Sequence, residues 1–154
     1  RPVFRERDMP IRSIFQAVER ARSRIENLSV DELAAELERN PDLLLLDIRE
    51  LQERVDLGTI PGAKHVPRGM LEFWADPDSR YFRDYFREDR RTVLFCAAGG
   101  RSALATETLH DMGFTNVAHL ASGFAGWQDA GRTIEDVSAT SRWVRREHAG
   151  GDQR

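Results

Sequence analysis

Two spacings of apolar residues alternate along this chain. From Pro10 to Glu26 the positions Ile11, Ile14, Phe15, Val18, Ala21 and Ile25 keep helical spacing, while Arg12, Glu19, Arg20, Arg22 and Glu26 fill the other face. Pro10 suits a first helical position, so the stretch predicts an amphipathic helix that docks on the domain or on a partner, its arginine face solvated. Ser29 followed three residues later by Glu32 is a capping signal, and Leu33, Ala34 and Leu37 continue a short helix that ends before Asn40-Pro41. Leu43-Leu44-Leu45-Leu46 is a continuous apolar run bounded by turn residues. Such runs alternating with helical patterns predict a parallel sheet covered on both faces. Three more strands are predicted at Ala63 to Val66, Thr92 to Cys96 and Val117 to Leu120.

Pro61-Gly62 is placed for a type II turn. The aromatic and charged stretch from Gly69 to Asp89 (Phe73, Trp74, Tyr81, Phe82, Tyr85, Phe86) predicts short helices packed over the sheet. Ala103, Leu104, Thr108, Leu109 and Met112 predict a helix with Gly113 as its left-handed cap. Gly123-Phe124-Ala125-Gly126-Trp127 opens a last packing element. Arg1 to Met9 reads as a mobile lead-in, apolar density falls beyond about Thr133, and the end from Arg145 reads as frayed. A chain of 154 residues suits one domain with a real core. The organisation read from the pattern is an N-terminal extension over 1–27, an α/β domain over 28–133 and a tail over 134–154.

Charge changes this picture by exclusion. The formal net charge of -3 is spread along the chain, and no arginine cluster makes a long basic stripe, which argues against nucleic acid and acidic membranes as partners. No apolar stretch approaches the ~20 residues that span a bilayer, and no secretory signal is visible. Lys64 is the sole lysine, and arginine suits oxyanion recognition. Cys96 is the only cysteine, so no intramolecular disulfide forms; a free thiol in a reducing, cytoplasmic setting is expected. No metal-ligand spacing appears among His65, His110, His119 and His148, each of which reads as surface or structural.

Cys96 sits where the run Thr92-Val93-Leu94-Phe95 meets the small-residue loop Ala97-Ala98-Gly99-Gly100, closed by Arg101-Ser102 and a helix. A loop of Ala and Gly lets the backbone curl so that successive N–H groups point inward as an anion-binding nest, and the following helix adds its positive end. An ordinary cysteine is only ~3% thiolate at neutral pH; making thiolate the main form takes ~2.7 kcal/mol of differential stabilisation, which such a loop can supply without a histidine base. Asp47 ends one predicted strand and Cys96 another. In an open parallel sheet both are expected to face the crevice beyond the strand ends.

Cys96-Ala97-Ala98-Gly99-Gly100-Arg101-Ser102 resembles the active-site loop of the rhodanese, or sulfurtransferase, family. Asp47-Ile48-Arg49-Glu50 followed by Gly58-Thr59-Ile60-Pro61-Gly62-Ala63 resembles its first signature, with Thr59 where the family usually has His. Leu120 with Gly123, Gly126 and Trp127 resembles its C-terminal signature. The resemblance covers roughly Leu28 to Gly131 and implies a three-layer α/β fold, a five-stranded, mostly parallel sheet flanked by helices, to which the N-terminal helix is an addition. It implies a sulfurtransferase that moves sulfane sulfur from a donor such as thiosulfate or a persulfide to a thiol, a protein acceptor or cyanide through a Cys96 persulfide, with no metal or organic cofactor.

Within that reading Ala97, Ala98, Gly99, Gly100 and Ser102 hold the persulfide and donor anion. Arg101 either contacts the donor oxyanion or locks the loop through a carboxylate. Asp47 and Arg49 are internal partners with a catalytic or a structural role, and Arg68 either adds positive charge at the crevice mouth or is an exposed arginine. The N-terminal helix either mediates a homodimer or covers the site. The alternatives are a rhodanese-like module for sulfur relay, sensing or protein binding, and a cysteine phosphatase or arsenate reductase, whose loops place one residue more between cysteine and arginine than Ala97 to Gly100 provide.

Overall fold

The computed structural model describes residues 10–140. The expectations for Arg1 to Met9 and for the end from Arg145 lie outside the described residues. Five strands, β1 (Glu26–Leu28), β2 (Leu44–Asp47), β3 (Lys64–His65), β4 (Thr92–Phe95) and β5 (Val117–Leu120), form one sheet in the order β1-β5-β4-β2-β3. Every pairing between them is parallel. Among the described residues six α-helices accompany them: α1 (Ile14–Arg24), α2 (Val30–Arg39), α3 (Leu51–Leu57), α4 (Leu71–Ala75), α5 (Gly100–Met112) and α6 (Gly123–Asp129).

Period-two alternation in β2 and β4 feeds two separate cores, which is why both strands read as unbroken apolar runs. Leu44, Leu46, Leu94 and Cys96 face a core closed by Leu71 and Ala75 of α4 and by Ala105 and Leu109 of α5. Leu45, Val93 and Phe95 face the opposite core, closed by Leu33 of α2 and by Phe124 and Trp127 of α6. The chain runs from β2 outward to β3, then returns across β2 to β4. That reversal places the loops after β2 and β4 at the topological switch point, where ligands of open α/β sheets collect.

Local signals explain several boundaries. Ser29 and Glu32 form the reciprocal capping box expected for α2, with Glu32 N to Ser29 Oγ at 3.1 Å and Ser29 N to Glu32 Oε1 at 2.8 Å. Gly113 caps α5 at φ 110°, and Gly62 takes φ 83° in its turn.

The N-terminal stretch differs from expectation. The helix α1 begins at Ile14 and not at Pro10, capped by Ser13, whose hydroxyl accepts from Gln16 N, and it stops at Arg24. Residues 26–28 leave the helical pattern to pair with β5, so the sheet starts before residue 28. At the other end Glu135 pairs with Thr59, and Val137 is buried, so contacts with the sheet domain continue past 133. The stretch after Arg68 gives only one 3-10 turn (Arg68–Met70) and α4 before it becomes a series of turns. None of the helices among the described residues is long and apolar enough to cross a membrane.

Candidate active site

Cys96 leaves the middle strand, β4, directly into the turn that starts α5. Two glycines make this turn possible. Gly99 takes φ 101°, and a Cβ there would run into the carbonyl of Ala121; Gly123 takes φ 67°, and a Cβ there would lie 2.5 Å from the Ala97 oxygen. The loop carbonyls are turned away from the sulfur and spent on α6: Phe124 N donates to Cys96 O at 2.8 Å and Ala125 N to Ala97 O at 3.0 Å.

The opposite edge of the loop faces the thiol. Gly99 N lies 3.1 Å and Ser102 N 3.4 Å from Cys96 Sγ, both donating, and Sγ also lies 3.5 Å from Ser102 Oγ. Cys96 is only 1% exposed, yet it lines the floor of a cavity of about 560 Å³. Ala97, Ala98, Gly100, Arg101 and Leu104 form one side of this cavity. Ile14, Phe15, Val18, Glu19 and Arg22 of α1 form the other. A second hollow of about 370 Å³, among Phe82, Phe86, Met112 and Phe114, has Glu88 as its one ionisable lining residue and shares no lining residue with the cysteine cavity.

The covering helix is fixed at several points. Arg24 bonds Glu107 at 2.8 Å and Asp111 at 3.2 Å on α5, and Arg22 Nη2 reaches Ala121 O at 3.4 Å. The helix therefore docks on its own domain beside the cysteine, while Ile11 and Phe15 stay exposed.

Arg101 makes a two-pronged contact with Glu53 of α3, at 2.8 and 2.9 Å. The hydrogen bond from Arg101 holds the Glu53 carboxyl below the usual carboxylate range; Glu53 in turn holds the guanidinium firmly protonated, with the nearby Cys96 adding to the effect. The loop is thus locked through a carboxylate while a positive charge remains on the cavity wall.

Asp47 does not share the cysteine's crevice. Alternation along β2 turns it to the face opposite Cys96, where it is fully buried. Its carboxylate accepts from Arg49 N at 3.2 Å, Arg49 Nε at 2.9 Å, Arg49 Nη2 at 2.8 Å and Thr59 Oγ1 at 2.8 Å. Arg49 also donates to Gly58 O at 2.6 Å and lies 4.3 Å over the Phe124 ring. Thr59, the departure from the family pattern, thus makes a buried hydrogen bond of its own. Arg68 pairs with Glu72 at 2.7 Å and is not among the cavity residues.

One residue that the sequence marks only as surface or structural lies near the sulfur. His119 of β5 is buried, with Nδ1 at 2.8 Å from Ser102 Oγ and Nε2 at 2.7 Å from Asn27 Oδ1. Its signal was a polar side chain inside an otherwise apolar strand, Val117-Ala118-His119-Leu120. Asn27 was equally hidden, because its strand opens on Glu26, which the pattern assigns to the end of a helix.

Comparison with known proteins agrees with this geometry. The model of the family described as Rhodanese-like domain matches residues 29–130. Human thiosulfate:glutathione sulfurtransferase is 30% identical over 89 residues, covering 54% of this chain and 76% of the human protein. A mouse thiosulfate sulfurtransferase/rhodanese-like domain-containing protein is 30% identical over 91 residues, 56% of this chain; the chain spans just over half of that relative, 58%. A solved structure from Rhodopseudomonas palustris, of a protein of unknown function described as a possible tyrosine phosphatase, is 43% identical with a TM-score of 0.78, covering 82% of this chain and 97% of that one. With sheet order, cysteine loop and family match in agreement, the chain belongs to the rhodanese-like domain family.

Proposed function

We propose that this chain is a sulfurtransferase that carries sulfane sulfur on Cys96. The observation that carries the reading is the pair of loop amides, Gly99 N and Ser102 N, aimed at Sγ on the floor of the cavity. The Cys96 thiolate attacks the outer sulfur of thiosulfate, a new S–S bond forms, and the bond to the sulfonate sulfur breaks with its electron pair leaving on sulfite. An acceptor then attacks the terminal sulfur of the persulfide and Sγ departs as thiolate. The acceptor is cyanide in the test tube and a thiol in the cytoplasm. The amides of Ala97, Ala98, Gly99, Gly100 and Ser102 hold the terminal sulfur, and Arg101 supplies positive charge for the donor anion. Asp47 and Arg49 act by holding the strand end, and Arg68, tied to Glu72, has no step assigned to it. The human relative named for thiosulfate and glutathione supports the donor and acceptor classes.

The test is to incubate the protein with thiosulfate and weigh it intact. A gain of one sulfur atom, lost in Cys96→Ala together with thiosulfate:cyanide transfer while the fold is kept, is the expected result. No gain, or phosphate-ester hydrolysis at a rate matching sulfur transfer, overturns the reading. Ile14 and Phe15, exposed to 56% and 79% on the cavity wall, with Ile11 fully exposed just ahead of α1, favour a protein as acceptor or a second copy of the chain across α1. For the second copy, sedimentation gives a dimer that Phe15→Glu dissociates; a monomer at all concentrations removes it.

A further inference from the structure

We propose that His119 is a positioning residue for Cys96: held in one tautomer by Asn27, it takes the hydrogen of the Ser102 hydroxyl, so that Ser102 meets Sγ with lone pairs only. This rests on the reading of Cys96 as the reacting sulfur and specifies what tunes it.

Each proton in the chain is fixed by the next partner. Asn27 Nδ2 donates to two carbonyls at the end of α1, Arg22 O at 2.9 Å and Ile25 O at 3.1 Å, which leaves Oδ1 as the atom facing His119 Nε2 at 2.7 Å. Oδ1 only accepts, so Nε2 carries the hydrogen. A neutral ring then has a bare lone pair at Nδ1, 2.8 Å from Ser102 Oγ, and the hydroxyl must donate there. The other acceptors in reach, Gly99 O at 3.3 Å and an ionised Cys96 Sγ at 3.5 Å, are the longer contacts. Choosing either would leave Nδ1 without a donor or force Nε2 and Oδ1, both lone pairs, together. Burial, and next the charge of Arg22, push the imidazole down to about 4, so it stays neutral at ordinary pH.

With its hydrogen committed to His119, Ser102 Oγ accepts from the Cys96 S–H at 3.5 Å and offers nothing to a thiolate. The hydroxyl favours the protonated sulfur, and the two amides favour the ionised one. A thiolate spared the third hydrogen bond keeps more of its nucleophilicity. The charged groups facing the same space are Arg101 from α5 and Glu19 and Arg22 from α1; no hydrogen bond joins them to Sγ among the described residues. Because Asn27 grips the last turn of α1, the helix that walls the cavity also sets the tautomer.

The first test needs no mutation. Nitrogen NMR of the histidine-labelled whole chain is expected to show His119 with hydrogen on Nε2 and a hydrogen-bonded lone pair on Nδ1 near neutral pH. Hydrogen on Nδ1, or an imidazolium, overturns the proposal. The second follows Cys96 alkylation against pH. Ser102→Ala is expected to move the midpoint down by about one pH unit, giving about ten-fold more thiolate on the acid side, and to free the Nδ1 lone pair in the nitrogen spectrum. His119→Ala is expected to move the midpoint the same way by releasing the hydroxyl, and to add nothing in the Ser102→Ala background. His119→Asn, with Oδ1 standing where Nδ1 was, is expected to restore the wild-type profile. An unchanged midpoint in Ser102→Ala, or a His119→Ala shift that persists without Ser102, sinks the idea. If His119→Ala does not fold, the tautomer and Ser102→Ala decide alone. Neither readout involves sulfur transfer, so failure here leaves the persulfide reading standing, and a chain that forms no persulfide still reports its tautomer.

Discussion

Arg101 joins two tasks that its neighbours separate. Its bonds to Glu53 tie the start of α5 to α3, but the two side chains remain 40% and 29% exposed. Ion pairs open to water contribute little, so Arg101→Ala is expected to cost less than about 1 kcal/mol in urea unfolding. The same substitution removes the positive charge from the cavity wall, and persulfide formation from thiosulfate is expected to slow at least about ten-fold. A large stability loss with unchanged kinetics makes Arg101 a structural clamp only. The sign with pH is fixed by Glu53: its carboxyl is held below 4.5, so the pair stabilises the fold above the ordinary carboxylate value and the contribution fades as pH falls through the lowered one. At this scale the sequence was a good guide to Cys96 and its glycines, because the loop chemistry is local. It was a poor guide to Glu53 and His119, which reach the site only through tertiary packing.

At the scale of elements, four of the sheet's five strands were legible: three in apolar stretches, and the edge strand β3 by its place after the Pro61-Gly62 turn. β2, β4 and β5 are predominantly apolar, β5 broken only by His119, and the sequence marks them within a residue or two. β1 was invisible because of its residues Glu26, Asn27 and Leu28 only Leu28 is buried; it is an edge strand held by pairing to β5 and by side chains from afar. Arg91, at the head of β4, is its main anchor. The guanidinium reaches Glu26 at 2.7 Å and 3.0 Å and Glu36 of α2 at 2.8 and 2.9 Å. These bonds hold Arg91 firmly protonated and draw the Glu36 carboxyl below 4.5. Arg91→Met is therefore expected to cost about 2 kcal/mol in urea unfolding at neutral pH. The wild-type advantage should be full above the usual carboxylate value and shrink as pH falls through the depressed Glu36 value. A cost that does not change down to strongly acidic pH means the loss comes from the side chain's packing instead.

Across the whole molecule the least expected feature is a charged pair inside an apolar core. Asp47 gathers Arg49, Thr59 and, at 3.6 Å, Arg54 of α3, and Thr59 in turn pairs with Glu135 through backbone bonds of 2.9 and 2.8 Å. One carboxylate thereby joins β2, α3, the turn before β3 and the segment after α6. The sequence offered Asp47 and Arg49 as partners two apart, but the strand's pleat sends them away from the cysteine and makes them a fold device. Removing one member of a buried pair strands the other charge. Arg49→Met is thus expected to cost about 3–5 kcal/mol, a large part of the roughly 5–15 kcal/mol that holds a typical domain together. Neutralising the stranded charge as well should recover part of the loss, so Asp47→Asn with Arg49→Met is expected to unfold at higher urea than Arg49→Met alone. Strictly additive costs in that cycle would mean that each side chain is held by its other partners, Thr59 and Arg54 for Asp47 and the Phe124 ring for Arg49, and that the pair itself contributes nothing to the fold.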